Sequence, residues 1–293
     1  VWLGIYGTGL DVYDLKTGEF NHYSPLANKN SLSNIYVNDL LIDSDQKLWI
    51  ATGRGLNRFD PDSNTFRHYY HQPNDPATIC NDIAICLFED RNGFIWVGTD
   101  KGLARFNKKD QTFTHYFHEE DSPLFSNTIF YITEDFNGSI WAGTSGGGLV
   151  KINPNSGSFK IYTSEDGLPN NIVYGILEDD DKNLWLSTNL GLVKFYPVGE
   201  KFVSYDVKDG IQSYEFNLGS CYKAPDGNMY FGGMNGFNVF DPSEIKINPN
   251  VPVVVVTTFR KFNEVQPFEL FDGDTIMLKH DDNFFSFEIA ALD

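Results

Sequence analysis

The sequence is short of cysteine, of positive charge and of long apolar runs, and each shortage removes a class of protein. Its three cysteines, Cys80, Cys86 and Cys221, cannot all pair with one another. Their spacing fits neither a redox C-x-x-C nor a zinc site, so they read as small buried hydrophobes. No run of branched aliphatic residues is longer than Val253 to Val256, which is too short for a helix to span a bilayer. Lys and Arg number 22 against 40 Asp and Glu, a formal net charge of −18. That sign disfavours nucleic acid, and it disfavours a sulfated or uronic-acid ligand unless a local basic pocket overrides the field. The chain opens Val1-Trp2-Leu3-Gly4, with no initiator Met, basic leader or apolar signal core, and is expected to be a piece of a longer protein. No phosphate loop occurs. What remains, 293 residues of which 41% are hydrophobic, suffices for one large folded domain or two ordinary ones.

Aromatic residues, by contrast, are plentiful and regularly placed. Trp2, Trp49, Trp96, Trp141 and Trp185, with Tyr230 in the sixth slot, stand 47, 47, 45, 44 and 45 residues apart, a period of solenoids and propellers. Two residues past each anchor comes a small one: Gly4, Ala51, Gly98, Gly143, Ser187, Gly232. A Gly-Leu or Gly-Phe pair follows, at Gly9, Gly55, Gly102, Gly148, Gly191 and Gly236. Ten residues past that Leu, five copies carry Phe20, Phe66, Phe113, Phe159 and Phe202, each with a Tyr three further on.

Within a unit the apolar runs are short and separated by turn chemistry. In the third copy Ile83 to Glu89 leads through Asp90-Arg91-Asn92-Gly93 into Phe94 to Thr99, then Leu103 to Phe106, then Phe113 to Tyr116. Asp-x-x-Gly supplies a side-chain acceptor and a left-handed residue for a tight hairpin, and no copy has a helical apolar period. Four antiparallel strands per unit of this length predict an all-β fold, a β-propeller of four-stranded blades, with the anchor aromatics Trp2, Trp49, Trp96, Trp141, Trp185 and Tyr230 as wedges between blades.

The Trp is not followed by Asp as in WD repeats, and no sialidase-type Asp box occurs. Asn81 through Phe106 and Asn127 through Ile152 instead follow one order: Asn, an aliphatic strand, Asp with Gly three on, aliphatic-Trp, Gly-Thr, Gly-Leu, a basic residue and an apolar one. These units resemble the two-component regulator propeller repeat. Departures are Gln46 and Lys182 at the hairpin Gly, Ile5 for Thr and Tyr230 for Trp. The resemblance covers residues 1–242. Beyond them, residues 243–293 hold a turn-rich linker and strand-like runs at Val253 to Phe262, Thr275 to Leu278 and Phe284 to Ala290. This segment resembles the opening of the immunoglobulin-like triple-tyrosine sandwich that follows such propellers.

The resemblance implies six repeats of a seven-bladed ring, with upstream blades and the end of the sandwich lying outside this chain. It also implies the extracytoplasmic, periplasmic sensor region of a hybrid two-component histidine kinase. Such a sensor is joined to the membrane by one helix outside this chain, works as a homodimer, and answers an oligosaccharide by switching on glycan-utilisation genes. Kinase chemistry would then belong to other parts of the protein, and this part is expected to be non-enzymatic, without cofactor or metal and without bound nucleic acid. A docking or dimerisation scaffold and a propeller carbohydrate lyase are the alternatives.

Of the six histidines, His22, His68 and His115 precede the outer-strand Tyr, an edge position rather than a metal site. The recurring acids Glu89-Asp90, Glu134-Asp135 and Glu178-Asp179-Asp180-Asp181 are expected as solvated turn residues on one rim, with calcium as the alternative. Propeller geometry puts a ligand on the face made by the loops between second and third strands and the loops joining blades. There Arg54, His71, Lys101, Asn189, Tyr214 and Glu215 supply planar donors and acceptors and a ring suited to a neutral sugar. The joining loops Asn28-Lys29-Asn30 and His118 to Asp121 vary in the same way.

Overall fold

The computed structural model describes residues 1–26, 30–118, 128–245, 253–266 and 276–292. The chain divides into two compact units, Val1–Pro242 and Ser243–Asp293.

The first unit is six antiparallel sheets in chain order, each a meander. Sheet one is β1 (Trp2–Ile5), β2 (Gly9–Tyr13) and β3 (Phe20–Tyr23); sheet two is β4 (Val37–Ile42), β5 (Leu48–Thr52), β6 (Leu56–Asp60) and β7 (Thr65–Tyr69). Sheet three is β8 (Ala84–Glu89), β9 (Ile95–Thr99), β10 (Gly102–Asn107) and β11 (Thr112–His118); sheet four is β12 (Ile129–Glu134), β13 (Ile140–Thr144), β14 (Leu149–Ile152) and β15 (Phe159–Tyr162). Sheet five is β16 (Val173–Glu178), β17 (Leu184–Thr188), β18 (Gly191–Tyr196) and β19 (Lys201–Tyr205), and sheet six is β20 (Phe216–Lys223), β21 (Met229–Gly233) and β22 (Gly236–Phe240). Sheet one lacks a first strand and sheet six a fourth among the described residues, as the repeat pattern indicates. The first strands pack in succession, β4 on β8, β8 on β12, β12 on β16 and β16 on β20, and so line a common axis. These are propeller blades.

The core lies between blades, and the repeat motif is the list of parts that build it. Each Trp of β5, β9, β13 and β17 is fully buried. Trp49 packs edge-on against Phe106 of the next blade at 5.1 Å, Trp141 against Phe195 at 5.7 Å, and Trp185 meets Phe240 at 4.7 Å. Trp2, half-buried, reaches Phe59 of blade two in the same way, at 5.4 Å. Tyr230, half-buried, touches Tyr222 and Phe237 of its own sheet. The basic residue of the motif is the Trp's cross-strand partner and lays its cation over the indole: Arg58 on Trp49, Arg105 on Trp96, Lys151 on Trp141 and Lys194 on Trp185. The Thr of Gly-Thr donates its hydroxyl to the carbonyl of the Gly that opens the third strand, at 2.7 to 2.8 Å in four blades. That Gly has positive φ, and a Cβ at Gly191 would stand 2.3 Å from the carbonyl oxygen of Tyr205, so no other residue fits.

The Glu-Asp pairs of the recurring hairpins are not solvated turn residues, which corrects the expectation from sequence, while Asp180 and Asp181 are exposed as expected. Asp43, Asp90, Asp135 and Asp179 are 1%, 4%, 6% and 3% exposed. In each, Oδ2 accepts from the Trp Nε1 six residues on, at 2.8, 2.8, 2.8 and 3.1 Å, while Oδ1 accepts from backbone N–H groups of its own turn. Burial alone would raise the Asp43 carboxyl; hydrogen bonds from Trp49 and Lys47 and the nearby Lys108 cation outweigh it and hold it below the ordinary value. The neighbouring Glu reaches back to the previous blade: Glu89 accepts from Ser44 N, Glu134 from Arg91 N and Glu178 from Phe136 N. In blade six Lys223 holds the Glu position and reverses the polarity, donating to the Asp180 carboxylate at 2.6 Å and to the Glu178 carbonyl at 3.0 Å. One residue of each pair fastens the Trp and the other staples the blade to its neighbour.

In the second unit β23 (Val253–Lys261) pairs with β24 (Glu264–Gln266) and β25 (Phe285–Leu292). The β23–β24 hairpin, absent from the sequence expectation, turns through Phe262 and Asn263, both at positive φ (50° and 65°). Phe-Asn carries no glycine signal for such a turn. Ile276 to Leu278 are not in a strand. Thr275 and most of the linker lie outside the described residues.

Candidate functional site

Every first strand enters the sheet with a β-bulge, the register slipping between Val37 and Asp39, Ala84 and Cys86, Ile129 and Tyr131, Val173 and Gly175, and Phe216 and Cys221. A bulge re-aims side chains and leaves local backbone groups to find other partners. At the axis, near the end of the propeller that carries the loops between second and third strands, a cavity of about 710 Å³ opens between blades. Its walls come from Tyr6 of blade one, Tyr36, Asn38 and Asp39 of blade two, Ile85 and Cys86 of blade three, Phe130 and Tyr131 of blade four, and Leu218 of blade six.

Asp39 is the polar centre of this wall. One carboxylate oxygen accepts from the backbone N–H of Leu87 in the next blade at 2.8 Å, the other from Leu40 N at 2.8 Å. Burial pushes the carboxyl up to about 6, against the opposing pull of those two hydrogen bonds. Asn38 reaches the same blade, its Nδ2 donating to the Ala84 carbonyl at 2.7 Å. The Cys86 thiol, held far above its ordinary value by burial, donates to the Ile129 carbonyl at 3.6 Å. Burial likewise raises the Tyr131 phenol, which hydrogen-bonds Cys221, and lifts the Cys221 thiol to about 11. Gly175 makes room for that pair, since a Cβ there would stand 2.7 Å from Cys221 Sγ. Both thiols are therefore neutral at physiological pH. Aromatic rings flank the opening: Tyr6 and Tyr36 lie 4.9 Å apart, and Phe130 is backed by Tyr174 at 5.9 Å and 18°. Among the described lining residues none is basic.

The six residues singled out from sequence all sit in the loops of this same end, in three groups. Asp82 ties the loops of Arg54 and His71: its carbonyl accepts from the N–H of Gly55, which follows Arg54, at 2.5 Å, and its carboxylate accepts from His71 N at 2.6 Å. The His71 ring itself bonds the Ile79 carbonyl at 2.8 Å, which fixes its own loop. Asn189, Tyr214 and Glu215 form a second group, joined by Gly191 N donating to the Tyr214 carbonyl at 2.7 Å; Asn189 Oδ1 is buried without a hydrogen-bond partner. Lys101 stands apart in the turn of blade three, its N–H on Thr99 Oγ1 at 3.2 Å. None of the six lines the axial cavity. Residues 27–29 and 119–127 of the joining loops lie outside the described residues. His68 and His115 place their rings on the Ser31 and Thr78 carbonyls of the joining segments, each at 2.7 Å, a structural use.

The cavity residues were missed because each looks like an ordinary strand residue. A signal for them exists in the repeat itself: the position after the bulge reads Asp39, Cys86, Tyr131, Gly175 and Cys221, varying where the rest of the frame repeats.

Four segments, residues 31–54, 78–101, 123–146 and 167–190, match the family described as two component regulator propeller. A protein of Formosa agariphila named histidine kinase P4 is 30% identical over 290 residues, which are 96% of this chain and 17% of that protein, so the chain spans a minor part of its relative. The crystal structure of the extracellular domain of a hybrid two component system from B. thetaiotaomicron has a TM-score of 0.75 at 26% identity, over 99% of this chain and 39% of that one. The extracellular domain of a one component system from the same organism follows at 0.60 and 21%, over 99% of this chain and 45% of that one, a likeness of fold alone.

Proposed function

We propose, from the premise that the chain is built of two-component regulator propeller repeats, that it is the extracytoplasmic sensor region of a hybrid histidine kinase. It detects an oligosaccharide and passes the signal across the membrane to the control of glycan-utilisation genes. The observation that carries this reading is the 26% identical extracellular domain, which is similar over 99% of this chain rather than over an isolated repeat. A periplasmic location and a dimeric full-length sensor belong to the same reading.

The cavity at the loop end supports a ligand-binding role, because concave sites lined by rings with a few fixed polar groups are where small molecules bind. Catalysis has less support. The thiols there are neutral, and Asp39 is the sole acid among the described lining residues, whereas glycoside hydrolysis ordinarily needs two carboxyl groups. The test is calorimetric titration of the sensor region, expressed from the natural chain, with a broad panel of oligosaccharides. Saturable binding without turnover is expected. Absence of binding across the panel would favour a docking or dimerisation module, and released product would favour a lyase.

A further inference from the structure

We propose that the axial cavity is the ligand site of this sensor and that it takes an uncharged sugar ring, acidic sugars being excluded. The proposal rests on the reading of the chain as an oligosaccharide sensor, and it adds the place and the charge class of the ligand.

The first support is a comparison the molecule makes with itself. Positions needed for packing repeat from blade to blade: the Trp, the Asp beneath it, the Thr and the Gly that accepts from it. At the axis, packing requires only that facing volumes complement one another, and they do. Tyr131 and Cys86 face Gly143 and Gly98, while Gly175 faces Ser187. Asp39 also accepts from the Leu87 and Leu40 N–H groups, a duty an amide oxygen could share without a charge to desolvate. Asp39 faces Ala51, where an uncharged side chain would pack without desolvating a charge. A polar group set at a cost in stability, on the wall of a cavity, in one blade only, is best explained by what enters the cavity.

The second support is the chemistry of the walls. Two aromatic platforms, Tyr6 with Tyr36 and Phe130 on Tyr174, offer faces to the C–H surface of a sugar ring. Asp39 and Asn38 line the same cavity as hydrogen-bonding groups for hydroxyls. Charge completes the argument. A carboxylated or sulfated ring would meet a carboxyl and, among the described lining residues, no cation, inside a chain of net charge −18. An amine is disfavoured because both Asp39 oxygens already accept a backbone N–H and burial draws the carboxyl toward its neutral form, leaving a weak counter-ion.

The test titrates the sensor region with neutral trisaccharides of glucose, mannose, galactose and xylose, with trigalacturonate, and with the glucosamine trimer. Tyr36→Ala and Leu218→Trp alter wall positions that are 43% and 47% exposed, so folding, followed by circular dichroism, is expected to survive. A neutral trisaccharide should bind. Tyr36→Ala should weaken it about tenfold, and Leu218→Trp, which fills the mouth, should weaken it by more. Arg54→Ala and Tyr214→Ala should stay within about twofold of the parent. If a neutral sugar binds but the wall variants leave it unchanged while Arg54→Ala or Tyr214→Ala weakens it, the axial site is wrong and the sensor reading stands. Tighter binding of trigalacturonate or of the glucosamine trimer overturns the charge class. No binding by any saccharide overturns both readings.

Discussion

Replacing Asp135 tests whether the hairpin acids are structural parts or surface ornaments. Its Oδ2 accepts from Trp141 Nε1 at 2.8 Å, and Oδ1 accepts from Asn137 N and Ser139 N, both at 2.9 Å. In Asp135→Ala the indole N–H, on a Trp that is fully buried, loses its partner with no route to water. An orphaned buried donor costs about 1–3 kcal/mol. The two turn N–H groups are nearer solvent and add about 0.5–1 kcal/mol each, for a total of about 2–5 kcal/mol. In a unit of this size that is a fall in Tm of about 5–15 °C. Asp135→Asn separates the two contributions: its carbonyl can replace one oxygen, but its NH₂ then faces the indole N–H donor to donor, so about 1–3 kcal/mol is still lost. Guanidinium denaturation followed by tryptophan fluorescence and far-UV circular dichroism measures both variants. Asp226→Ala is the control, because Asp226 lies at an exposed turn and bonds only Asn228; its midpoint should not move. A shift for Asp135→Ala below about 0.5 kcal/mol, the size of an ordinary surface change, would refute the account of the hairpin acids.

Two further outcomes follow from the geometry. Asp39 binds its proton more tightly folded, near 6, than unfolded, so its contribution is fully favourable below about pH 4 and is lost as pH rises to about 6, by about 1–3 kcal/mol. Asp39→Asn removes that titration. Its stability relative to the parent, from urea midpoints, should therefore be higher by this amount above pH 6 than near pH 4, and a pH-independent difference would sink the reasoning. Gln46 occupies the hairpin position that is Gly93 and Gly138 in the next two copies, and it is held at φ 59° beside their 79° and 80°. Gln46→Gly relieves about 1–2 kcal/mol of left-handed strain against about 0.5–1 kcal/mol of added chain entropy. A net gain of about 0.5–1 kcal/mol is expected, and a loss of stability would mean that the Gln side chain does something the backbone does not show.

The sequence by itself determined the blades. Anchor spacing, alternation and Asp-x-x-Gly turns are signals between near neighbours, and backbone sterics and side-chain alternation turn them into strands and hairpins without reference to anything distant. The conformation of Gln46 was legible for the same reason, since the hairpin demands a left-handed residue whatever occupies the slot. Only the tertiary structure decided what the acids of those hairpins do. Glu89 bonds a residue 45 positions earlier, and Lys223 reaches Asp180 43 positions back. Local pattern marks such residues as turn polar groups and cannot say which neighbour lies within reach. The candidate site was divided along the same line. Its end of the propeller followed from strand direction, but its walls did not. Tyr6, Asp39, Phe130 and Leu218 converge only because successive blades rotate about one axis, and that rotation is set by inter-blade packing summed over the whole unit.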